Sequence, residues 1–379
     1  MLRCFSNLGL LLVSLTVCAV AGEWFLRATP TSPDRVEHGQ RAKYRFNPYR
    51  SDGTLSYTLR PNWETVHATN EFEVNVHTNA LGLRGSPPAA AANEDSYRIL
   101  VVGDSFAFGW GVEDNETFAA QLEQELRRRG IAAEVLNAGV PGYSTDQYLI
   151  YLRTRGYALE PDVVLLAPHD NDLKDLAWNH HAFDAERLPT RVESTLRLID
   201  RHGHMRYVNE GEIAAPALNF PGKSWLADHS QLYHWLRFRS AKLWVSLALH
   251  FADAELEREA GAPPTGAISS LSNAEVERGL RSGKEFQLRY HRFLMEQIRK
   301  DCEARGITLR TLLIARRGFK AKSGDPEAEL HADCAADPHC LDTAQLFSGI
   351  DEDAIFYSGD GHWTPEGHRR AAMAVQTFF

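Results

Sequence analysis

Residues 98–111 read RILVVGDSFAFGWG, and this stretch decides the fold. The apolar run 99–102 stops at Gly103, and Asp104, Ser105 and Phe106 follow. An unbroken apolar run of this length before a glycine predicts a strand buried on both faces, as in a parallel sheet. A serine just past the C-terminal end of such a strand lies where open α/β sheets place their chemistry.

The pattern extends downstream. Residues 117–129 put Phe118, Leu122 and Leu126 on one helical face and stop at Gly130. Residues 133–136 predict a second strand, running into NAGVPGYST. Residues 145–155 predict a second helix with Thr145 as N-cap. Residues 162–166 predict a third strand. This alternation implies a parallel sheet with helices on both faces. The pattern breaks over 172–273, with hairpin character around His202-Gly203, a helix over 235–251 and a loop over 261–272. A long helical tract, 274–305, ends at Gly306 and precedes a strand at 307–314. Pro365 suits the first turn of a last helix that runs to the C-terminus. Upstream, residues 72–76 predict a short strand, Asn79, Gly82 and Gly85 are turn residues, and 86–95 (SPPAAAANED) reads as a flexible linker.

A net charge of −9 argues against nucleic acid as the main partner. A single apolar segment, residues 8–21, follows Arg3, and Ala19-Val20-Ala21 supplies a small-x-small cleavage pattern. Residues 1–27 therefore read as a signal peptide or an uncleaved membrane anchor, and the remainder as exported, periplasmic or otherwise extracytoplasmic. Cys334 and Cys340 bracket a short polar loop, which suits a disulfide in an oxidising compartment.

Hydroxyl nucleophiles need a base, an orienting acid and donors for the oxyanion. Ser105 follows the first strand, Gly142 the second and Asn171 the third. Asp360 and His362 lie two residues apart just before the last helix. All belong to the same expected edge of the sheet. The Gly-x-Ser-x-Gly elbow of α/β-hydrolases is absent around Ser105.

With these residues in place, the chain resembles the SGNH/GDSL hydrolase family. Gly103-Asp104-Ser105-Phe106 looks like its first block, Gly142 like the second-block glycine, Asn171 like the third-block asparagine, and Asp360 with His362 like the last block. The layout is similar to a bacterial exported or anchored branch with an Asn-x-Leu-Gly-x-Arg-Gly stretch, here 79–85. The resemblance implies a three-layer α/β/α flavodoxin-like sheet spanning 97–379, with a mainly helical insertion at about 173–273 and an extension and linker at 28–96. It implies Ser105, His362 and Asp360 as catalytic residues, and Ser105, Gly142 and Asn171 as the oxyanion hole. No cofactor or metal is implied. The expected activity is hydrolysis of O-acyl esters, acetyl above all, on a small molecule or an envelope or extracellular carbohydrate. The alternatives are an O-acetyltransferase acting on polysaccharide and a non-catalytic envelope-assembly or glycan-binding protein.

Two places depart from the family pattern. His169 stands where a glycine precedes the third-block asparagine by two residues, and the acid-to-histidine spacing is one residue short, which leaves Asp351 and Asp353 as other partners for His362. His169, Asp170, Asp175, His180 and His181 read as polar loop residues beside the cleft, and His368 as a solvated helix residue. Trp110, Tyr143 and Trp363 lie near the motifs as cleft or core aromatics.

Overall fold

A computed structural model describes residues 48–69, 71–85, 97–194, 262–322 and 324–379, with isolated positions in 14–25, 198–206 and 225–233. The chain divides into two compact units, Met1–Arg45 with Asn209–Asp253 and Phe46–Val208 with Ala254–Phe379. In the smaller unit residues 16–25 are helical, and Glu23 Oε2 accepts hydrogen bonds from Ser230 Oγ (2.9 Å) and Leu232 N (2.8 Å). Among the described residues no helix is long and apolar enough to cross a membrane. Most of the predicted signal, the linker at 86–95 and the predicted helix at 235–251 lie outside the described residues.

The larger unit opens with two antiparallel hairpins, β1 (Tyr49–Asp52) with β2 (Ser56–Leu59) and β3 (Glu64–Ala68) with β4 (Glu73–His77). In β4, Val74 and Val76 turn inward while Glu73 and Asn75 face water, the period of a one-sided strand. These hairpins, in the predicted N-terminal extension, belong to the same compact unit as the sheet.

Next come β5 (Tyr97–Gly103), α1 (Ser105–Phe108), α2 (Phe118–Arg128), β6 (Ala133–Asn137), α3 (Thr145–Thr154), β7 (Val163–Ala167) and α4 (Asp172–Ala177). Beside α4, the described part of the insertion contains two antiparallel strand pairs, β8 (Asn179–Phe183) with β9 (Pro189–Ser194), and β10 (Leu198–Ile199) with β11 (Met205–Arg206); the predicted hairpin turn at His202-Gly203 lies outside the described residues. The predicted tract 274–305 is broken into α5 (Asn273–Arg281) and α6 (Lys284–Glu303), because Gly283 at φ 132° leaves the helical region. After β12 (Thr308–Leu313) and α7 (Pro326–Ala336) comes β13 (Cys340–Asp342), too short for the sequence pattern to reveal. Short helices α8 (Thr343–Leu346) and α9 (Glu352–Ile355) precede α10 (Pro365–Val375). Cys334 and Cys340 are joined by a disulfide that ties α7 to β13.

The sheet is wholly parallel in the order β13-β12-β7-β5-β6, the flavodoxin-like arrangement. Ile99, Val101, Val163 and Leu165 pack on one face with Phe118 and Leu122 of α2 and Ala371 and Val375 of α10. Leu100, Val102, Val164 and Leu166 pack on the other with α3, α6 and the hairpin residues Tyr57, Leu59 and Val76. Each such side chain stabilises the fold by roughly 1.5–3 kcal/mol. The strand order reverses between β5 and β7, and the crevice at their C-terminal ends is where ligands bind in sheets of this kind.

Candidate active site

Ser105 is placed by backbone packing. A Cβ at Gly103 would lie 2.7 Å from both Ala167 O and Ala107 Cβ, so only glycine lets β5 meet β7 and α1 this closely. Asp104 caps α1, its carboxylate accepting from Phe106 N at 2.9 Å. Ser105 is the first helical residue, so its amide has no acceptor within the helix. Beyond α1 the chain is braced by Arg84. Its Nε bonds Asp114 (2.5 Å), Nη1 donates to Gly109 O (3.2 Å), Nη2 donates to Val112 O (2.8 Å), and its guanidinium covers the Phe108 ring at 4.6 Å. The stretch 79–85 thus supplies, as its penultimate residue, the arginine that holds the serine helix.

The loop before α10 brings the acid and the histidine back to Ser105. Tyr357 N donates to His362 O (2.8 Å) and Gly361 N to Tyr357 O (2.9 Å), closing a tight turn with Gly361 at φ 86°. That left-handed residue allows a one-residue-short spacing to work. Asp360 Oδ1 meets His362 Nδ1 at 2.5 Å, and His362 Nε2 meets Ser105 Oγ at 2.7 Å. Nδ1–H donates to the carboxylate, which leaves Nε2 to accept from the serine hydroxyl. Trp110 Nε1 donates to Asp360 Oδ2 at 3.2 Å. Burial works against the Asp360 carboxylate, but hydrogen bonds and charge from His362, with the Trp110 N–H, hold its carboxyl below the usual carboxylate range. Asp351 caps α9 and Asp353 pairs with Arg317, so neither is the partner of His362.

Gly142 lies in the turn after β6, where Tyr143 N donates to Val140 O (3.1 Å). Asn171 starts α4, and His169 Nδ1 bonds its Oδ1 at 2.6 Å, so its Nδ2 is the end of the carboxamide turned to other acceptors. The bulk of His169, where a glycine was expected, is taken up by stacking on Phe106, with ring centres 4.7 Å apart. Phe106 also packs against His362 (4.9 Å) and Trp363 (5.0 Å). Trp110 lies 5.5 Å from the His362 ring, whereas Tyr143 and Trp363 are fully buried core residues.

The other histidines are not loop decoration. His181 has an inaccessible side chain between Asp146 Oδ2 (2.8 Å) and Glu277 Oε1 (3.1 Å). His368 is buried, not solvated, and accepts from Phe118 N at 3.2 Å; burial pushes its imidazole down to about 3. Asp170 pairs with Arg316 at 2.9 Å. Among the described residues no three His, Cys, Asp or Glu side chains gather as a metal site. The sequence reading missed His67, which packs edge-on against Trp110 at 4.4 Å; it comes from a hairpin whose link to the site has no local sequence signal.

Residues 101–266 match the GDSL-like Lipase/Acylhydrolase family. The loop carrying Asp360 and His362 lies beyond that match. No curated protein matches the chain. Among solved structures, the psychrotrophic esterase EstA from Pseudoalteromonas sp. is 11% identical, with 74% of this chain and 96% of that one covered and a TM-score of 0.35. A GDSL-like lipase from Bacteroides thetaiotaomicron VPI-5482 is 12% identical, with 76% and 90% covered and a TM-score of 0.33. AlinE4, an SGNH-hydrolase family esterase, is 30% identical over 23% of this chain and 52% of its own, with a TM-score of 0.19.

Proposed function

We propose that this chain, which carries a domain of the GDSL-like lipase/acylhydrolase family, is a serine ester hydrolase with Ser105 as nucleophile, His362 as base and Asp360 as the acid that orients it. One observation carries the reading: an unbroken relay from Ser105 Oγ through His362 to Asp360, at 2.7 and 2.5 Å. Ser105 Oγ attacks the ester carbonyl as its proton passes to His362 Nε2. The amides of Ser105 and Gly142 and the Asn171 side chain receive the oxyanion. Collapse expels the alcohol, protonated by His362. Water, deprotonated by the same imidazole, then attacks the acyl-serine, releasing the acid and free Ser105.

Within that class, we read the substrate as a short O-acyl ester, acetyl first, on an envelope or extracellular carbohydrate. The Trp110 ring, half-buried and 5.5 Å from the His362 ring, supports this reading by offering a flat apolar face to a sugar beside the relay. The apolar segment at 8–21 and the Cys334–Cys340 disulfide support an exported protein, periplasmic or held at the membrane by that segment. Ser105→Ala is expected to lower kcat/KM on a small acetyl ester by about a millionfold while the circular dichroism spectrum stays unchanged. Retained turnover would refute the assignment. Product analysis with an acetyl donor and a glycan distinguishes water from a sugar hydroxyl as acceptor.

A further inference from the structure

The hydrolytic reading leaves the second N-terminal hairpin without a role, although its turn sits against the acid loop. Glu71 Oε1 accepts from Ser358 Oγ (3.1 Å) and Gly359 N (2.9 Å), and Glu71 Oε2 accepts from Asp360 N (2.7 Å). A Cβ at Gly359 would lie 3.0 Å from Glu71 Oε2, so the carboxylate is seated directly on the loop. Next to it the Phe72 ring packs on Tyr357 (5.0 Å), and Tyr357 OH donates to Gly111 O (2.8 Å). His67, on β3, packs between Phe72 (4.8 Å) and Trp110 (4.4 Å), and Trp110 Nε1 reaches the Asp360 carboxylate from the other side. The hairpin therefore grips Asp360 by its backbone through Glu71 and by its side chain through Trp110.

A loop of this composition needs such a grip. Gly359 and Gly361 flank Asp360 and give the backbone wide conformational freedom. The amides of Gly359 and Asp360 point out of the turn, and a carboxylate accepting two N–H groups and a hydroxyl is a charge-assisted anchor that a neutral side chain matches poorly.

We propose that Glu71 is a positioning residue of the hydrolytic site, holding Asp360 at the distance that keeps His362 oriented toward Ser105. This inference rests on the reading of Ser105, His362 and Asp360 as a catalytic relay. It adds a residue from a hairpin far upstream of the motifs, acting on the acid and not on the substrate.

The test uses the full chain and two readouts, kcat/KM on a small acetyl ester and the rate at which a fluorophosphonate labels Ser105. Glu71→Ala is expected to lower both by about 10- to 100-fold, the cost of misplacing a catalytic group by about 1 Å. Glu71→Gln, which keeps one acceptor and replaces the other with a donor, is expected to fall between Glu71→Ala and wild type. In an Asp360→Ala background, Glu71→Ala is expected to cost less than about twofold more, because its effect passes through Asp360. A purely structural role would give the same loss in both backgrounds, and that result overturns the proposal. So does undiminished labelling of Glu71→Ala when wild type is labelled. If Glu71→Ala loses its cooperative melt, Glu71→Gln carries the same comparison. Failure of wild type to label at Ser105 would sink the hydrolytic reading, and this proposal with it, which separates the two failures.

Discussion

The five-stranded sheet and the N-terminal hairpins hold one site by different means. The sheet works through its backbone. Parallel register sets Gly103 opposite Ala167, so the residues after β5 and β7 leave the sheet side by side, with Ser105 on one and Asn171 on the other. The hairpins work through side chains. Among the described strands, β1 to β4 pair only with each other, and the nearest backbone link is an isolated bridge between Arg84 and Asn137. Yet Arg84, on the segment that follows β4, braces the segment after the serine helix, Glu71 holds the acid loop, and Tyr57 OH donates to Pro141 O (3.1 Å) beside Gly142. A position set by register is shared among many hydrogen bonds. A position set by one side chain fails when that side chain is removed.

The sharpest way to break this contrast is to compare Arg84→Ala with Leu165→Ala. Arg84 has a side chain only 1% exposed, paired with Asp114 and capping two carbonyls, so removing it is expected to cost about 3–5 kcal/mol. Leu165 is fully buried in β7, and its truncation is expected to cost a similar or smaller amount, about 2–5 kcal/mol. Urea unfolding measures both. The contrast lies in activity per folded molecule: Arg84→Ala should lose it because the serine helix is unbraced, and Leu165→Ala should keep it because register survives a cavity. Equal losses of activity would erase the distinction.

The same contrast explains what could be read before the structure. The runs 99–102 and 163–166 are apolar because both sheet faces are covered, so strands, helices and topology were legible from Ser105 outward. The candidate triad was legible too, because each member sits at a strand end or a helix start that local sequence marks. His67 and Arg84 were not, because the partners that tie them to the site, Trp110 for His67 and residues 108–114 for Arg84, lie 24 to 43 residues along the chain and nothing nearby encodes the pairing. Short strands such as β1 and β13 lack the length to show a period. Gly283 was passed over because one glycine within an otherwise helical pattern is often tolerated.

A third region extends the test to the insertion. Its β8 strand is fastened to α3 by His181 bonded to Asp146, with Glu277 of α5 on the other nitrogen. Burial disfavours the imidazolium, but hydrogen bonds and charge from Asp146 and Glu277 raise it to about 9. Folded His181 thus holds its proton more tightly than the unfolded chain, whose value lies near ~6.5. The resulting stability is fully present below pH ~6.5 and is lost as pH rises through about 9. Across that window the loss should approach about 3 kcal/mol, at 1.36 kcal/mol per pH unit. His181→Gln should flatten the dependence. A wild-type profile flat from pH 6.5 to 9, tracked by urea midpoint, would mean that this hairpin is not held by the ion pair.

The smallest effect is the most discriminating. Tyr57→Phe keeps the ring, its edge contact with Tyr143 at 5.4 Å and its place in the core, and removes only the hydroxyl on Pro141 O. The lost bond should cost about 0.5–1.5 kcal/mol, read as a shift in urea midpoint with unchanged slope. Tyr143 OH still donates to Tyr57 O at 2.5 Å, so the hairpin stays docked on the turn. Any fall in kcat/KM then comes from movement of Pro141 and the adjoining Gly142, the proposed second-strand oxyanion donor, and not from lost folding. A fewfold fall with the small stability loss would place the hairpins within the catalytic scaffold. A stability loss with unchanged kcat/KM would confine the first hairpin to packing and leave positioning to Arg84 and Glu71.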